Sequence, residues 1–241
     1  KSLERLAGLG FKQLEIYGYD GKFFGKTRKE FQSILKNTGL EVISSHHTTG
    51  VIHNSKGTLL NDWEKSVEDL HFIGSEYMVC SYLFEEERTL EYYKKLPQLL
   101  NKSGETTNEA EIAFAYHNHD FEFEKFDDKT VYDFILDNTD SDLVNMELDL
   151  YWISKAGFNP LTYFEKYPKR FPLWHVKDMK AGNKDFTEVG NGTINFKTIF
   201  EAKEIAGLKY WFLEQDSSDK DIFESVEISK KYIDRHSCFT K

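Results

Sequence analysis

Seven short apolar runs, each closed by an ionisable or hydroxyl-bearing side chain, restrict the fold of this chain more than any other feature. They cover residues 13–18, 41–46, 77–83, 112–118, 144–150, 173–177 and 210–214, and the polar residues near their ends are Glu15, His46, Tyr82, His117, Asp149, His175 and Glu214. Amphipathic stretches of helix length separate them, so that one strand and one helix recur every ~33 residues, the length of a βαβ step. Such alternation predicts parallel strands joined by crossover helices. Thr27-Arg28-Lys29-Glu30 reads as a capping box, and Gly39 as the end of the helix it starts. Further helices are expected over 59–73, 88–102, 131–138, 160–167, 196–206 and 221–232. Pro160 suits a first helical turn and Pro97 is expected to kink or break its helix. The predicted architecture is an α/β barrel of (β/α)8 type. Leu3, Leu6 and Leu9 place a helix ahead of the first recognisable strand, so the barrel's own first strand is absent from this sequence. An open seven-stranded sheet is the alternative.

With no linker rich in Pro, Gly or Ser, residues 1–241 are expected to form a single domain. A missing strand would leave the strands of Glu15 and Glu214 with open edges, which leaves association into a homo-oligomer open. The net charge of −10, with lysines scattered among acidic residues, argues against a nucleic-acid partner. A mean hydropathy of −0.58 and no apolar run near the ~18 residues of a membrane span argue against a membrane one. Cys80 lies in an apolar run and Cys238 in the polar tail, so neither a disulfide framework nor a thiolate zinc site is expected. Localisation is left open between a soluble cytoplasmic protein and one exported after loss of a leader.

Side chains two apart on a strand share a face, which pairs Glu147 with Asp149, His175 with Lys177, His117 with His119, and Glu214 with Asp216. Charges on inward faces are costly unless paired or metal-bound. Any one of Asp149, His175, Glu214 and His117 is explained as well by a structural hydrogen bond. Four in consecutive units, at the C-terminal strand ends where barrel enzymes work, point to one shared divalent metal. Carboxylates mixed with imidazole suit Mn, Mg, Co or Zn, and spacing does not choose among them. Glu15 either pairs with a lysine or binds a substrate hydroxyl. His46 is preferred over the adjacent His47 as the inward-facing histidine. Trp152 reads first as core and second as a wall against a sugar ring. Asp178, on the face opposite Lys177, reads as a residue that orients a neighbour, Glu188 as a lid residue or solvated charge, and 85–87 as a solvated acidic helix start.

Four segments, Glu147-Leu148-Asp149-Leu150-Tyr151-Trp152, His175-Val176-Lys177-Asp178, Glu188-Val189-Gly190-Asn191-Gly192 and Phe212-Leu213-Glu214-Gln215-Asp216, resemble the sugar phosphate isomerase/epimerase superfamily. These are xylose isomerase-like TIM barrels, of the AP endonuclease family 2 type that includes endonuclease IV. The resemblance runs through most of the chain and implies that Asp149, His175 and Glu214 are metal ligands. It also implies a strand ahead of the opening helix. One departure stands out. The family's epimerases generally supply a fourth ligand as Glu where this chain has Tyr116-His117-Asn118-His119. That H-x-H resembles the inosose-dehydratase branch instead.

The resemblance implies a metal-dependent isomerase or epimerase acting on a small sugar or keto sugar. A proton next to a carbonyl is removed, and the metal neutralises the charge of the resulting enediolate. Glu214 or His119 is expected to act as base and Lys177 as donor, with Glu15, His46 and Trp152 binding substrate. Expulsion of a β-oxygen would make it a keto-sugar or cyclitol dehydratase. A barrel that binds carbohydrate without catalysis is the third reading.

Overall fold

The computed structural model describes residues 1–126 and 128–239, the side chain of Phe126 apart. The chain divides into two compact units, the first built from Lys1–His117 and Phe126–Asn145, the second from Asn118–Lys125 and Met146–Lys241.

The first unit carries four parallel strands, β1 (Gln13–Ile16), β2 (Glu41–Thr48), β3 (Tyr77–Tyr82) and β4 (Ala113–His117), paired in that order. Val42, Ile43, Met78, Val79, Cys80, Phe114, Ala115 and Tyr116 are all shut away from solvent. Burial on both faces explains why these strands read as continuous apolar runs and not as an alternation. The register sets Glu15 beside Ser44, His46 beside Val79 and Val79 beside Ala115. The expected capping box is present at Thr27 and Glu30, and Gly39 closes Arg28–Thr38 with φ 67°. A glycine suits this left-handed position because it carries no Cβ.

Two loops of this unit interlock. Tyr19 donates to Asp69 Oδ2 at 2.6 Å, while Arg28 and Lys65 reach Asp69 Oδ1 at 2.8 and 2.5 Å. Burial opposes the charge on Asp69, but Lys65, Tyr19 and Arg28 outweigh it and hold the carboxyl below its ordinary range. Gly57 has φ +82°, and a Cβ there would collide with the Tyr19 carbonyl oxygen and lie 2.7 Å from Tyr19 Cδ1.

Three local expectations need correcting. Leu90–Asn108 continues as a helix through Pro97, which forfeits one N–H while Leu96, Pro97 and Leu100 remain buried on one side. The stretch 59–73 becomes helical only at Trp63, because Asp62 sits in the left-handed region with φ 57°. Glu87 is 1% exposed and not solvated: Thr49 Oγ1 donates to its Oε1 and Phe84 N to its Oε2 at 2.8 Å.

The second unit carries β5 (Val144–Asp149) from Met146 onward, β6 (Leu173–Val176) and β7 (Tyr210–Leu213). β6 is central and parallel to both neighbours, setting His175 beside Asp149 on one side and Phe212 on the other. An aromatic layer backs it, with Trp174 stacked flat on Phe164 at 5.0 Å and edge-on to Phe200 at 5.2 Å. Helices Leu150–Lys155, Pro160–Lys166 and Ile222–Arg235 follow the strands. The helix expected over 196–206 is broken at Ala202 into Phe196–Glu201 and Lys203–Ala206. Among the described residues no helix is long and apolar enough to cross a membrane.

Gly57→Ala should therefore lower the stability of the protein by roughly 2 kcal/mol or more, through backbone strain and overpacking together. A thermal melt that matches the wild type would mean that the 49–62 loop yields without cost.

Candidate active site

The second unit gathers its charged residues around the end of β6. Asp149 closes β5 and is also the N-cap of Leu150–Lys155, its Oδ1 accepting from Tyr151 N at 2.8 Å and Trp152 N at 2.9 Å. The strand passes into the helix with no loop between them, and Asp149 N donates to Asn118 Oδ1 at 3.0 Å. One carboxylate oxygen thus serves the fold. The other, Oδ2, faces Lys177 Nζ at 3.2 Å and His175 Nδ1 at 3.7 Å.

His175 lies between two carboxylates, its Nδ1 2.7 Å from Glu214 Oε2 and its Nε2 3.4 Å from Glu147 Oε1. A carboxylate only accepts, so Nδ1 carries the hydrogen it gives to Glu214. Lys177 shares the face of His175, as strand parity requires, and is 2% exposed. Its ammonium lies 2.7 Å from Glu214 Oε2 and 2.8 Å from Asp216 Oδ2. The rings of Phe186, Trp152 and Tyr151 surround it at 5.4, 5.6 and 5.9 Å. Burial works against its charge, but Asp149, Glu214 and Asp216 outweigh burial and hold its pKa above the ordinary lysine value. Burial would likewise raise the pKa of Glu214, yet His175 and Lys177 hold it well below the usual carboxylate range. At Asp216, burial and the neighbouring Glu214 charge prevail over Lys177 and push the pKa up.

These groups suit a divalent cation. Four carboxylates (Glu147, Asp149, Glu214, Asp216) face one ammonium and one imidazole, an excess of three negative charges with His175 neutral and two with it charged. Asp149 Oδ2, His175 Nδ1 and Glu214 Oε2 are close enough to bind one ion, because ligands at about 2.0–2.2 Å from a metal stand roughly 3–4 Å apart. Nδ1 would then give up the hydrogen it holds toward Glu214, and the ring would carry one on Nε2 toward Glu147 instead. Glu147, fully buried behind the other imidazole nitrogen, has the position of a carboxylate that orients a ligating histidine.

Trp152 and His119 also belong to this unit. The His119 ring stacks on Phe121 at 5.5 Å and lies 5.1 Å from Trp152, which in turn meets Lys155 Nζ at 4.3 Å. In the first unit, His46 Nε2 lies 2.8 Å from Glu15 Oε1, and the His46 ring is 5.4 Å from that of His117, which is buried at the end of β4. His47 points the other way. Its Nδ1 donates to the Gly57 carbonyl at 2.7 Å, and burial lowers its pKa to about 4, so it is a neutral core residue.

Asp178, on the far face from Lys177, gathers the glycine-bearing loop. Its Oδ2 accepts from Gly190 N at 2.9 Å and Gly192 N at 3.0 Å, and its Oδ1 from Ile194 N at 3.2 Å. Glu188 is 6% exposed, neither a lid nor a solvated charge. It accepts from Lys220 Nζ at 2.8 Å and Ser225 Oγ at 2.9 Å on Oε1, and from Asn191 Nδ2 at 3.2 Å on Oε2. Glu147 and Asp216 are the site residues to which sequence reading gave no role. Their parity with Asp149 and Glu214 is the signal that carries them.

The family model described as xylose isomerase-like TIM barrel matches residues 3–232. Among curated proteins, an inosose dehydratase from Clostridium beijerinckii is 28% identical over 277 residues, covering 99% of this chain and 90% of that one. For an inosose dehydratase from Lacticaseibacillus casei the figure is 29% over 162 residues, and the match spans 54% of that protein, about half its length. Among solved structures, a sugar phosphate isomerase/epimerase from Parabacteroides distasonis superposes with a TM-score of 0.84 at 31% identity, over 99% of this chain and 88% of that one. The IOLI protein with a bound zinc atom shares the fold, with a TM-score of 0.77 at 14% identity over 99% of this chain and 93% of that one.

The anchoring of Glu188 sets a pH dependence. Burial raises its pKa, but Lys220, its own backbone N–H, Ser225 and Asn191 outweigh that and bring it from 4.5 to about 2. A lowered folded-state pKa gives stability that is complete above about 4.5 and lost as pH falls toward 2. Glu188→Gln should cost on the order of 2 kcal/mol at pH 7, screening at the half-exposed Lys220 allowed for, and should flatten the acid limb. Urea unfolding at pH 7, 4 and 3 measures both; parallel acid limbs in the two proteins would contradict the assignment.

Proposed function

The chain belongs to the xylose isomerase-like TIM-barrel family, and from that premise we propose that it is a metal-dependent isomerase or epimerase of a small sugar or keto sugar. The observation that carries this is the excess of carboxylate around the buried His175 and Lys177. Asp149, His175 and Glu214 would hold the metal, one of Mn, Mg, Co or Zn, and the zinc-bound neighbour supports a divalent ion. His117 is proposed as fourth ligand on the sequence resemblance. When bound, the ion supplies positive charge that stabilises negative charge developing on a carbonyl oxygen.

The side chains divide the remaining work. Lys177, kept protonated by its three carboxylates, donates to a substrate oxygen. Glu214 is held as the charged form, which suits ligation, and its second task as base is shared with His119, since an imidazole takes up and returns a proton near neutrality. Trp152, beside His119, walls the ring of the substrate, and its buried Nε1 has no hydrogen-bond partner among the described residues. Glu15 and His46 receive hydroxyls. Residues 1–241 are proposed to work as one domain.

A second reading is dehydration of a keto sugar or cyclitol. The C. beijerinckii relative is named an inosose dehydratase along nearly its whole length, and His117 with His119 supports it too. The two outcomes share proton removal and differ in what leaves.

Keto sugars and inososes incubated in deuterated buffer separate them: exchange with an isomeric product marks an isomerase, and net loss of water marks a dehydratase. Glu214→Gln should reduce turnover by about 10²–10⁴-fold, as loss of an acid–base group does. His119→Ala should reduce turnover while leaving the metal content of the purified protein unchanged. Equal metal loss in both variants would make His119 a ligand. Full activity in Glu214→Gln, or no exchange with any substrate, would favour a carbohydrate-binding barrel without catalysis.

A further inference from the structure

The loop after β1 contains a hairpin turn built against the preference of its residues. Phe23 and Lys26 form an antiparallel bridge, with Phe23 N donating to Lys26 O at 2.9 Å and Lys26 N to Phe23 O at 3.0 Å. Between them Phe24 has φ 51° and Gly25 φ 77°. Two central residues at positive φ define the type I′ turn, whose first position favours Asn, Asp or Gly. A bulky aromatic there is strained, because its Cβ crowds the backbone in the left-handed region. Such strain persists where surrounding structure enforces it, and it clusters at functional sites.

Packing repays little of the strain at Phe24, which is 57% exposed although one side of its ring tilts against Phe31 at 6.0 Å. The neighbouring Phe23 anchors the turn instead: it is buried, stacked flat on Phe31 at 4.9 Å and tilted against Tyr19 at 5.0 Å. That anchor keeps Phe24 turned outward, where it meets Tyr17 edge-to-face at 6.4 Å. Tyr17 is 74% exposed and is followed by Gly18 at φ 75°. The result is a pair of aromatic rings presented to solvent on a fixed turn. Tyr17 lies two residues beyond Glu15, directly past the end of β1.

We infer that Tyr17 and Phe24 form a stacking subsite for a second sugar ring of a glycoside or disaccharide, adjoining the Glu15–His46 pair. The inference rests on the sugar-processing reading above and extends it to substrates larger than one ring. A pyranose has C–H-bearing faces with a slight positive charge, and an aromatic face carries the complementary negative quadrupole. Hydroxyls at the ring edge stay in water, which suits rings as exposed as these two. A protein partner fits less well. Two such side chains offer at most about 500 Å², well short of the roughly 800 Å² per partner of a stable interface. The same loop also exposes Asp20, Lys22 and Lys26 beside them.

The test measures binding, not turnover. Glucose, cellobiose and maltose are titrated into wild-type protein, Phe24→Asn and Tyr17→Ala by isothermal calorimetry and saturation-transfer NMR. One of the disaccharides should bind the wild type ~10-fold more tightly than glucose, and each variant should lose most of that preference while its affinity for glucose is unchanged. Because Asn suits the turn, Phe24→Asn should also melt about 2–4 °C higher, so its loss of binding cannot come from misfolding. Equal affinity for mono- and disaccharides in the wild type, or an undiminished preference in Phe24→Asn, would overturn the subsite. So would concentration-dependent dimerisation of the wild type that Phe24→Asn abolishes. If the disaccharide preference behaves as expected but no sugar is turned over, the subsite stands and the catalytic reading fails.

Discussion

A buried ammonium organises the charged half of this molecule. Lys177 has almost no contact with water, and its charge is tolerable there because Asp149, Glu214 and Asp216 surround it within 3.2 Å. Those carboxylates are in turn tolerable because of Lys177 and His175. The arrangement is over-supplied with negative charge, and a lone ammonium does not balance it. Glu214 and Asp216 keep part of their surface in water, and under the function proposed above a divalent cation would balance the rest.

Asp149 shows how closely fold and chemistry are joined. One oxygen caps the helix that starts at Leu150, and the other faces His175 and Lys177. The structural and the ligating interpretation of such a residue compete when it is read in a sequence. In the molecule the two oxygens divide: Oδ1 is taken by the cap, and Oδ2 is left to the charged cluster. The capping bonds orient the carboxylate and restrict its rotation, so that Oδ2 is held toward His175 and Lys177.

The strands were legible in the sequence because burial on both faces makes them continuous apolar runs, and strand parity placed His175 with Lys177 and Glu214 with Asp216. What was not legible depended on partners distant in the chain. Glu87 is buried because Thr49, 38 residues earlier, donates to it. Glu188 is buried because Lys220 and Ser225, more than 30 residues later, are aimed at it. An acidic residue carries the same letter whether it is solvated or clasped. Glu147 was visible as a strand residue but not as the partner of a histidine on the next strand, since that depends on register. Pro97 was expected by local rules to kink or break its helix, yet the helix runs on through it with Leu96, Pro97 and Leu100 buried.

The adjacency of Lys177 and Asp178 has a consequence for how such proteins diverge. The first side chain serves the charged cluster and the second, on the opposite face, gathers the backbone of Gly190, Gly192 and Ile194. One residue inserted or deleted between His175 and Asp178 would exchange these faces, burying an acid where the cation belongs and aiming a lysine at three amide hydrogens. The length of that short segment is therefore far less free to drift than its composition.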